Sequence, residues 1–270
     1  MKMNPIHFLF VLLTFVGCQT SPKEIKPVFV GGNIINPSNN YVVLYDTQNN
    51  IDTLYLNDDN RFSHRFLNFK PGIHSFVHGG KYQSILLEEN DSIMMHVNTY
   101  DFDESIVYNG IGAKKNNYLI NLLLKLEKED SNTNASYSES PQKYHQNIET
   151  FISKNSNDLK SFLKINPNSD LFKKIALSSI KYHYFTRKEL YPFRHFGANN
   201  FENFNELPSS FYDFRKEIVY NDTDLKDFYP YYNFLFPHIN NLAIEQLTTS
   251  NTEFSLDNHK LDYTNRKLEL

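Results

Sequence analysis

The sequence predicts an α+β chain in which an N-terminal antiparallel β-sandwich or barrel-like domain is followed by an all-helical domain. Three features predict it. Short runs of alternating polarity, broken by turn residues, continue to Tyr108. Helical spacing takes over after Gly112. Further on, Ser-Pro and Asn-Pro pairs stand where helices would begin.

The predicted strands lie near Phe29–Ile35, Tyr41–Asp46, Asp52–Leu56, Arg61–Phe66, Gly72–His78, Gln83–Glu88, Ser92–Val97 and Ser105–Tyr108. Between them stand Asn-, Asp-, Gly- and Pro-rich breaks such as Asn36-Pro37-Ser38 and Asn57-Asp58-Asp59-Asn60. Strands of this length and spacing suit a sandwich or barrel. In Arg61–Phe66 the side chains of Phe62, His64 and Phe66 share one face, and Arg61, Ser63 and Arg65 share the other. That pattern expects one buried and one solvated face.

Gly110-Ile111-Gly112 lacks the third glycine of a dinucleotide-binding loop and reads as a hinge between residues 28–109 and 113–270. Leu119, Leu122, Leu123 and Leu126 then fall on one face of a helix over Ala113–Glu129. Ser140-Pro141 opens a second helix, with Tyr144, Ile148, Phe151, Ile152 and Leu159 inside. Asn166-Pro167 is expected to open a third, and Tyr191–Pro208 reads as an aromatic connector. Shorter helices are expected near Ser209–Ile218, Pro230–Leu247 and Leu256–Leu268. The last pattern stops at Lys267-Leu268-Glu269-Leu270 with no cap, Gly or polar tail, so the helical domain is expected to be truncated.

At the front, Lys2 precedes an apolar run from Ile6 to Val16 and then Gly17-Cys18. The run is shorter than the roughly 20 residues a spanning helix needs, and a basic start with a small residue at the cut site marks a secretory signal. Phe15-Val16-Gly17-Cys18 resembles a bacterial lipobox, with Phe15 where Leu is usual. Residues 1–17 are therefore expected to be a signal peptide, and residues 18–27 a tether lipidated at Cys18. Cys18 is the chain's 1 cysteine, so an internal disulfide is impossible and thioether lipidation gives this thiol a role. The expected location is the cell envelope, on the outer membrane facing the periplasm or exposed at the surface.

Net charge is −4, which argues against nucleic acid as a partner. With 23 Phe, 18 Tyr and 0 Trp, phenyl and phenol rings must supply much of the core. His74 and His78 share a strand face with His64 near, but residues four apart on a strand are separated by about 13 Å, too far to ligate one ion. Asp101-Phe102-Asp103-Glu104 offers carboxylates without the Gly or the later bidentate Glu of a calcium loop. A Gly-x-Ser-x-Gly elbow and a Walker loop are both missing. No catalytic, metal or cofactor residue is expected. The unusual feature is the ring-rich stretch Tyr191, Phe193, Phe196, Phe201, Phe204, Phe211, Tyr212 and Phe214, followed by Phe228, Tyr229, Tyr231 and Tyr232. Two readings stand: the rings fill the core of a Trp-free helical domain, or Tyr191, Phe193, Arg194 and Phe196, with Arg215 near, form a groove for an envelope protein or glycan.

Several segments carry a family resemblance: Gly32-Asn33-Ile34, Asp52-Thr53-Leu54, Arg61-Phe62, Gly72-Ile73-His74, Leu87-Glu88-Glu89-Asn90-Asp91-Ser92-Ile93, Lys115-Asn116-Asn117-Tyr118-Leu119 and Glu189-Leu190-Tyr191-Pro192-Phe193-Arg194. Together they resemble the N-terminal part of the TlpA-like thiol:disulfide interchange lipoproteins of Bacteroidetes. In that family's Leu-x-Pro/Glu-Gly-Asp-Ser turn, Asn90 replaces Gly, and Asn tolerates the left-handed backbone such a turn needs. The resemblance implies a β-rich domain, a helical segment and a C-terminal thioredoxin-like domain whose Cys-x-x-Cys does the redox chemistry. This sequence has no such pair. The expectation is thus a non-catalytic, membrane-anchored binding or scaffolding module. The alternative is a truncated member of that oxidoreductase family without its redox domain.

Overall fold

The computed structural model describes residues 27–48, 50–67, 69–130, 136–166, 168–197 and 200–249. The signal, Cys18 and the expected helix at Leu256–Leu268 lie outside the described residues. Among those described, the chain is α+β, with two four-stranded sheets and a set of helices. The strands are β1 (Phe29–Ile35), β2 (Tyr41–Tyr45), β3 (Ile51–Tyr55), β4 (Arg61–Arg65), β5 (Gly72–His78), β6 (Lys81–Leu87), β7 (Ser92–Asn98) and β8 (Val107–Ile111).

Sheet one runs β4-β1-β7-β8 and sheet two runs β3-β2-β5-β6. All pairings are antiparallel except one: β1 lies parallel to β7, with Phe29 opposite Ser92 and Ile35 opposite Asn98. The purely antiparallel expectation is corrected there. The chain leaves sheet one after β1 for a hairpin in sheet two, returns as β4, and leaves again before β7. A strand re-entering beside the first in this way need not oppose it. Turn chemistry supports these reversals, because Asn36, Asn60 and Asn90 adopt φ of 55°, 57° and 71°, where Asn is tolerated.

One apolar core draws on both sheets. Val30 and Ile34 of β1, Phe62 of β4 and Met95 of β7 meet Val42, Phe76 and Ile85 of sheet two. Phe62 and Phe76 stack at 5.8 Å across it. Each such side chain, fully buried, stabilises the fold by about 1.5–3 kcal/mol.

The helices are α1 (Phe102–Ser105), α2 (Ala113–Asp130), α3 (Pro141–Ile165), α4 (Asp170–His195) and α5 (Tyr229–Thr249), with 3-10 turns at Phe201–Glu206 and Asp213–Glu217. Their core holds Leu122, Leu126, Tyr144, Ile148, Phe172 and Ile180, and it also takes in Ile73 and Leu86 from sheet two. Sheet two therefore contributes to both cores, with Phe76 and Ile85 in the one that also draws on sheet one and Ile73 and Leu86 in that of the helices.

Further expectations change, and the helix expected near Ser209–Ile218 is only a 3-10 turn at Asp213–Glu217. Gly110-Ile111-Gly112 is no hinge: Gly110 and Ile111 belong to β8, opposite Ile93 and Ser92. Gly110 has φ of 96°, and a Cβ there would lie 2.2 Å from the Ser92 carbonyl oxygen. Asn166 ends α3 instead of opening the next helix, and the cap of α4 is Ser169, whose hydroxyl accepts the Phe172 N–H at 3.0 Å. Tyr191 to His195 form the last turns of α4, not a connector.

Candidate ligand cleft

A cleft of about 610 Å³ opens where sheet two meets the helices. Each wall follows from a local period. On β6, alternation sends Tyr82, Ser84 and Leu86 to the helix side. On α4, Ser179, His183, Thr186, Arg187, Leu190 and Arg194 fall on one helical face. Leu119, Leu123 and Leu126 of α2 supply the apolar floor, and Tyr229, Pro230 and Asn233 at the start of α5 close one side.

Charge gathers at the rim. Asp130 lies 3.2 Å from Arg187 Nη1 and 3.3 Å from His183 Nε2. Burial pushes the Glu127 carboxyl above its ordinary range, and the carboxylates of Asp103, Glu104 and Asp130 add to the effect. Gln83 Nε2 donates to Asp103 Oδ1 at 3.0 Å. An apolar floor with a few convergent polar groups is the ordinary form of a small-molecule site. A shallower groove of about 450 Å³ between α2 and α3 is crossed by the Lys125–Asp158 ion pair at 2.7 Å.

The four residues expected to form a partner groove separate. Tyr191 is fully buried, stacked on Tyr144 at 3.9 Å, and its hydroxyl donates to the Glu139 carbonyl at 2.6 Å. It is a core residue, which corrects its place in a surface groove. Phe193 and Phe196 are half-buried beside Phe204, at 5.3 and 6.0 Å between ring centroids. Arg194 is exposed and reaches the cleft. Phe211, Phe214, Phe228 and Tyr231 are buried in the helical core.

The histidines also separate. Both ring nitrogens of His78 face the backbone: Nε2 accepts the Ser38 N–H at 3.0 Å and Nδ1 lies 2.8 Å from the Tyr41 carbonyl. His74 is buried against Phe66 and Phe69, neither of its nitrogens has a hydrogen-bond partner, and burial pushes its pKa down to about 4 against the opposing pull of Asp46. Among the described residues, no group of three or more His, Cys, Asp or Glu is placed to hold a metal ion.

Sequence reasoning missed a buried polar network around Glu189, which is 0% exposed. Arg215 meets its carboxylate with two nitrogens, at 2.8 and 2.6 Å, and also reaches Glu245 at 2.8 Å. His238 Nδ1 lies 2.7 Å from Glu189, and Asn241 Nδ2 donates to it at 2.6 Å. Burial acts to raise the Glu189 pKa, but the bonds from His238 and Arg215 outweigh it and hold the carboxyl low. His238 Nε2 meets the Tyr220 hydroxyl at 2.8 Å, so both nitrogens of this imidazole are occupied and neither is open to a substrate. The network locks α4, α5 and the 3-10 turn between them. No local pattern signals it, because Glu189 lies 26 residues from Arg215 and 49 and 52 from His238 and Asn241 along the chain.

Among the described residues, no helix is long and apolar enough to cross a membrane. In comparisons with protein-family models, curated proteins and solved structures, the chain matches none.

Proposed function

We propose that the chain is a lipid-anchored envelope protein that works as a non-catalytic binding module, with the cleft beside sheet two as its ligand site. The observation that carries the ligand site is the cleft itself: about 610 Å³ with a leucine floor and a charged rim supplied by α1, α2 and α4. The two sheets with their shared core read as a β-sandwich, the rigid part on which such a site is built. The lipobox-like Phe15-Val16-Gly17-Cys18 supports the anchor, with the outer membrane facing the periplasm as its expected site.

Two measurements test this reading. The fluorescent probe 1-anilinonaphthalene-8-sulfonate should bind the folded full chain at one saturable site, and Leu123→Trp, which fills the floor, should abolish that binding. Binding that survives Leu123→Trp overturns the cleft assignment. Labelled palmitate should enter the protein in cells and should be lost in Cys18→Ser. Label persisting in that variant overturns the anchor.

The second reading is kinship with the thiol:disulfide interchange lipoproteins, whose redox Cys-x-x-Cys these 270 residues do not contain. Asn90 favours it, because its left-handed backbone, φ 71°, stands where that family's turn has Gly. The test is the intact mass of the protein from its own cells. A species well above 31.8 kDa carrying a Cys-x-x-Cys would establish that kinship and remove the binding module as the whole protein.

A further inference from the structure

We propose that the open part of the face of sheet two turned away from sheet one, on β3, β2 and β5, is a docking platform for a neutral glycan chain; the β6 edge of the same face is a wall of the cleft. This inference goes beyond the cleft reading and does not rest on it.

Strand register defines the face. Across β3, β2, β5 and β6 one row is Thr53, Val43, Val77 and Tyr82, and the next is Ile51, Tyr45, Ser75 and Ser84. Tyr55 and Tyr41 are paired beyond the first row, and Ile73 and Leu86 beyond the second. Not one of these positions carries a charge, in a chain where charged residues make up 21%. The Ile73–Leu86 end lies under the helices. The other end is open, with Tyr55 71%, Ile51 60% and Tyr41 38% exposed.

A face without charges suits a partner without charges, since an ionic ligand bound there would lose water and gain no counter-ion. The face still offers polar groups. Tyrosine presents a flat apolar ring with a hydroxyl at its edge, and Thr53, Ser75 and Ser84 add short hydroxyls between the rings. Sugar rings match that mixture, with C–H faces that lie on aromatic rings and hydroxyls that exchange hydrogen bonds. A second copy of this chain fits less well, because two such faces pressed together would strand the hydroxyls in a dry interface. Tyr41 and Tyr55 meet edge to face at 6.5 Å and form the open end of the platform. At the opposite edge Tyr82 bonds to Tyr232, whose ring meets Tyr229 at 5.3 Å and continues the aromatic surface onto α5.

Affinity electrophoresis of the full chain tests the proposal, in gels containing dextran, laminarin, xyloglucan or starch, with polygalacturonate as the charged control. At least one neutral polymer should retard the protein, and polygalacturonate should not. Tyr41→Ala and Tyr55→Ala should each weaken the retardation tenfold or more while leaving circular dichroism and the melting temperature unchanged. Both residues lie outside the cleft lining, so binding of 1-anilinonaphthalene-8-sulfonate should be unaffected in both variants, which separates this proposal from the cleft reading. Three results would overturn it: no retardation by any neutral polymer, retardation that survives both alanine variants, or a concentration-dependent dimer that Tyr55→Ala dissolves without any glycan retention.

Discussion

Asn116 grips both main-chain groups of Leu86: its Oδ1 accepts the Leu86 N–H at 2.8 Å, and its Nδ2 donates to the Leu86 carbonyl at 2.9 Å. Asn117 does the same to Tyr108, at 2.9 and 2.7 Å. Leu86 lies on β6, an edge of sheet two, and Tyr108 on β8, an edge of sheet one. Two consecutive side chains of α2 thus satisfy the free edges of two different sheets. Lys115 adds ion pairs to Glu88 at 2.8 Å and Asp91 at 2.6 Å. Asn116→Ala leaves both Leu86 groups buried without partners and should cost about 2–4 kcal/mol. Urea unfolding checks this, and a loss below about 0.5 kcal/mol would mean that water replaces the amide.

His74 makes stability depend on pH. Its folded pKa of about 4 lies below the ordinary 6.5, so the unfolded chain binds this proton more readily between those values. Its neutral form is fully compatible with the fold above about pH 6.5. Stability should then fall as pH drops toward 4, by about 3 kcal/mol in all. His74→Phe, which keeps the ring contacts to Phe66 and Phe69, should remove this part of the acid sensitivity. Urea midpoints of both proteins at pH 7 and 4.5 decide it, and equal acid losses in the two would refute the assignment.

Glu189 sits among donors that depend on its charge. Glu189→Gln should destabilise by about 3–5 kcal/mol, because Arg215 then keeps only the half-exposed Glu245 as an anionic partner. Replacing Glu189, Arg215 and His238 together by Met, Met and Phe should cost much less than Glu189→Gln alone. Thermal melts of the two variants would show whether the network is costly to break or intrinsically stabilising.

Ser169 and Ser140 look alike in the sequence, each standing before a helix, but only Ser169 makes a side-chain cap bond. Ser169→Ala should cost about 1 kcal/mol, and Ser140→Ala much less. Equal losses in chemical denaturation would show that the caps do not differ.

That contrast marks what the sequence made legible. The strands were readable because alternation is local: Phe62 and His64 turn inward, while Ser63 and Arg65 are exposed. The leucine stripe of α2 was readable for the same reason. Asn166-Pro167 misled because Asn-Pro has the composition of a helix start, although the chain begins its next helix only at Asp170, after Ser169. Tyr191-Pro192 misled because Pro signals a break. Yet α4 continues through Pro192, and Tyr191 and His195 stack on the same side at 4.9 Å. The cleft was hidden for a different reason. Its walls come from β6, α2, α4 and α5, and no single segment shows that they converge.

The parallel pairing of β1 with β7 also bears on how the chain reaches its fold. β1 is an inner strand of sheet one, yet its partner β7 arrives only after five other strands have been made. Until then Val30 and Ile34 have no sheet to enter on that side, and β1 presents a free apolar ladder. Contacts this distant along the chain slow folding and lengthen the time during which such a strand can pair with a neighbouring molecule. For a polypeptide that emerges from synthesis or export N-terminus first, β1 is the segment most in need of shielding, and the arrival of β7 ends that exposure.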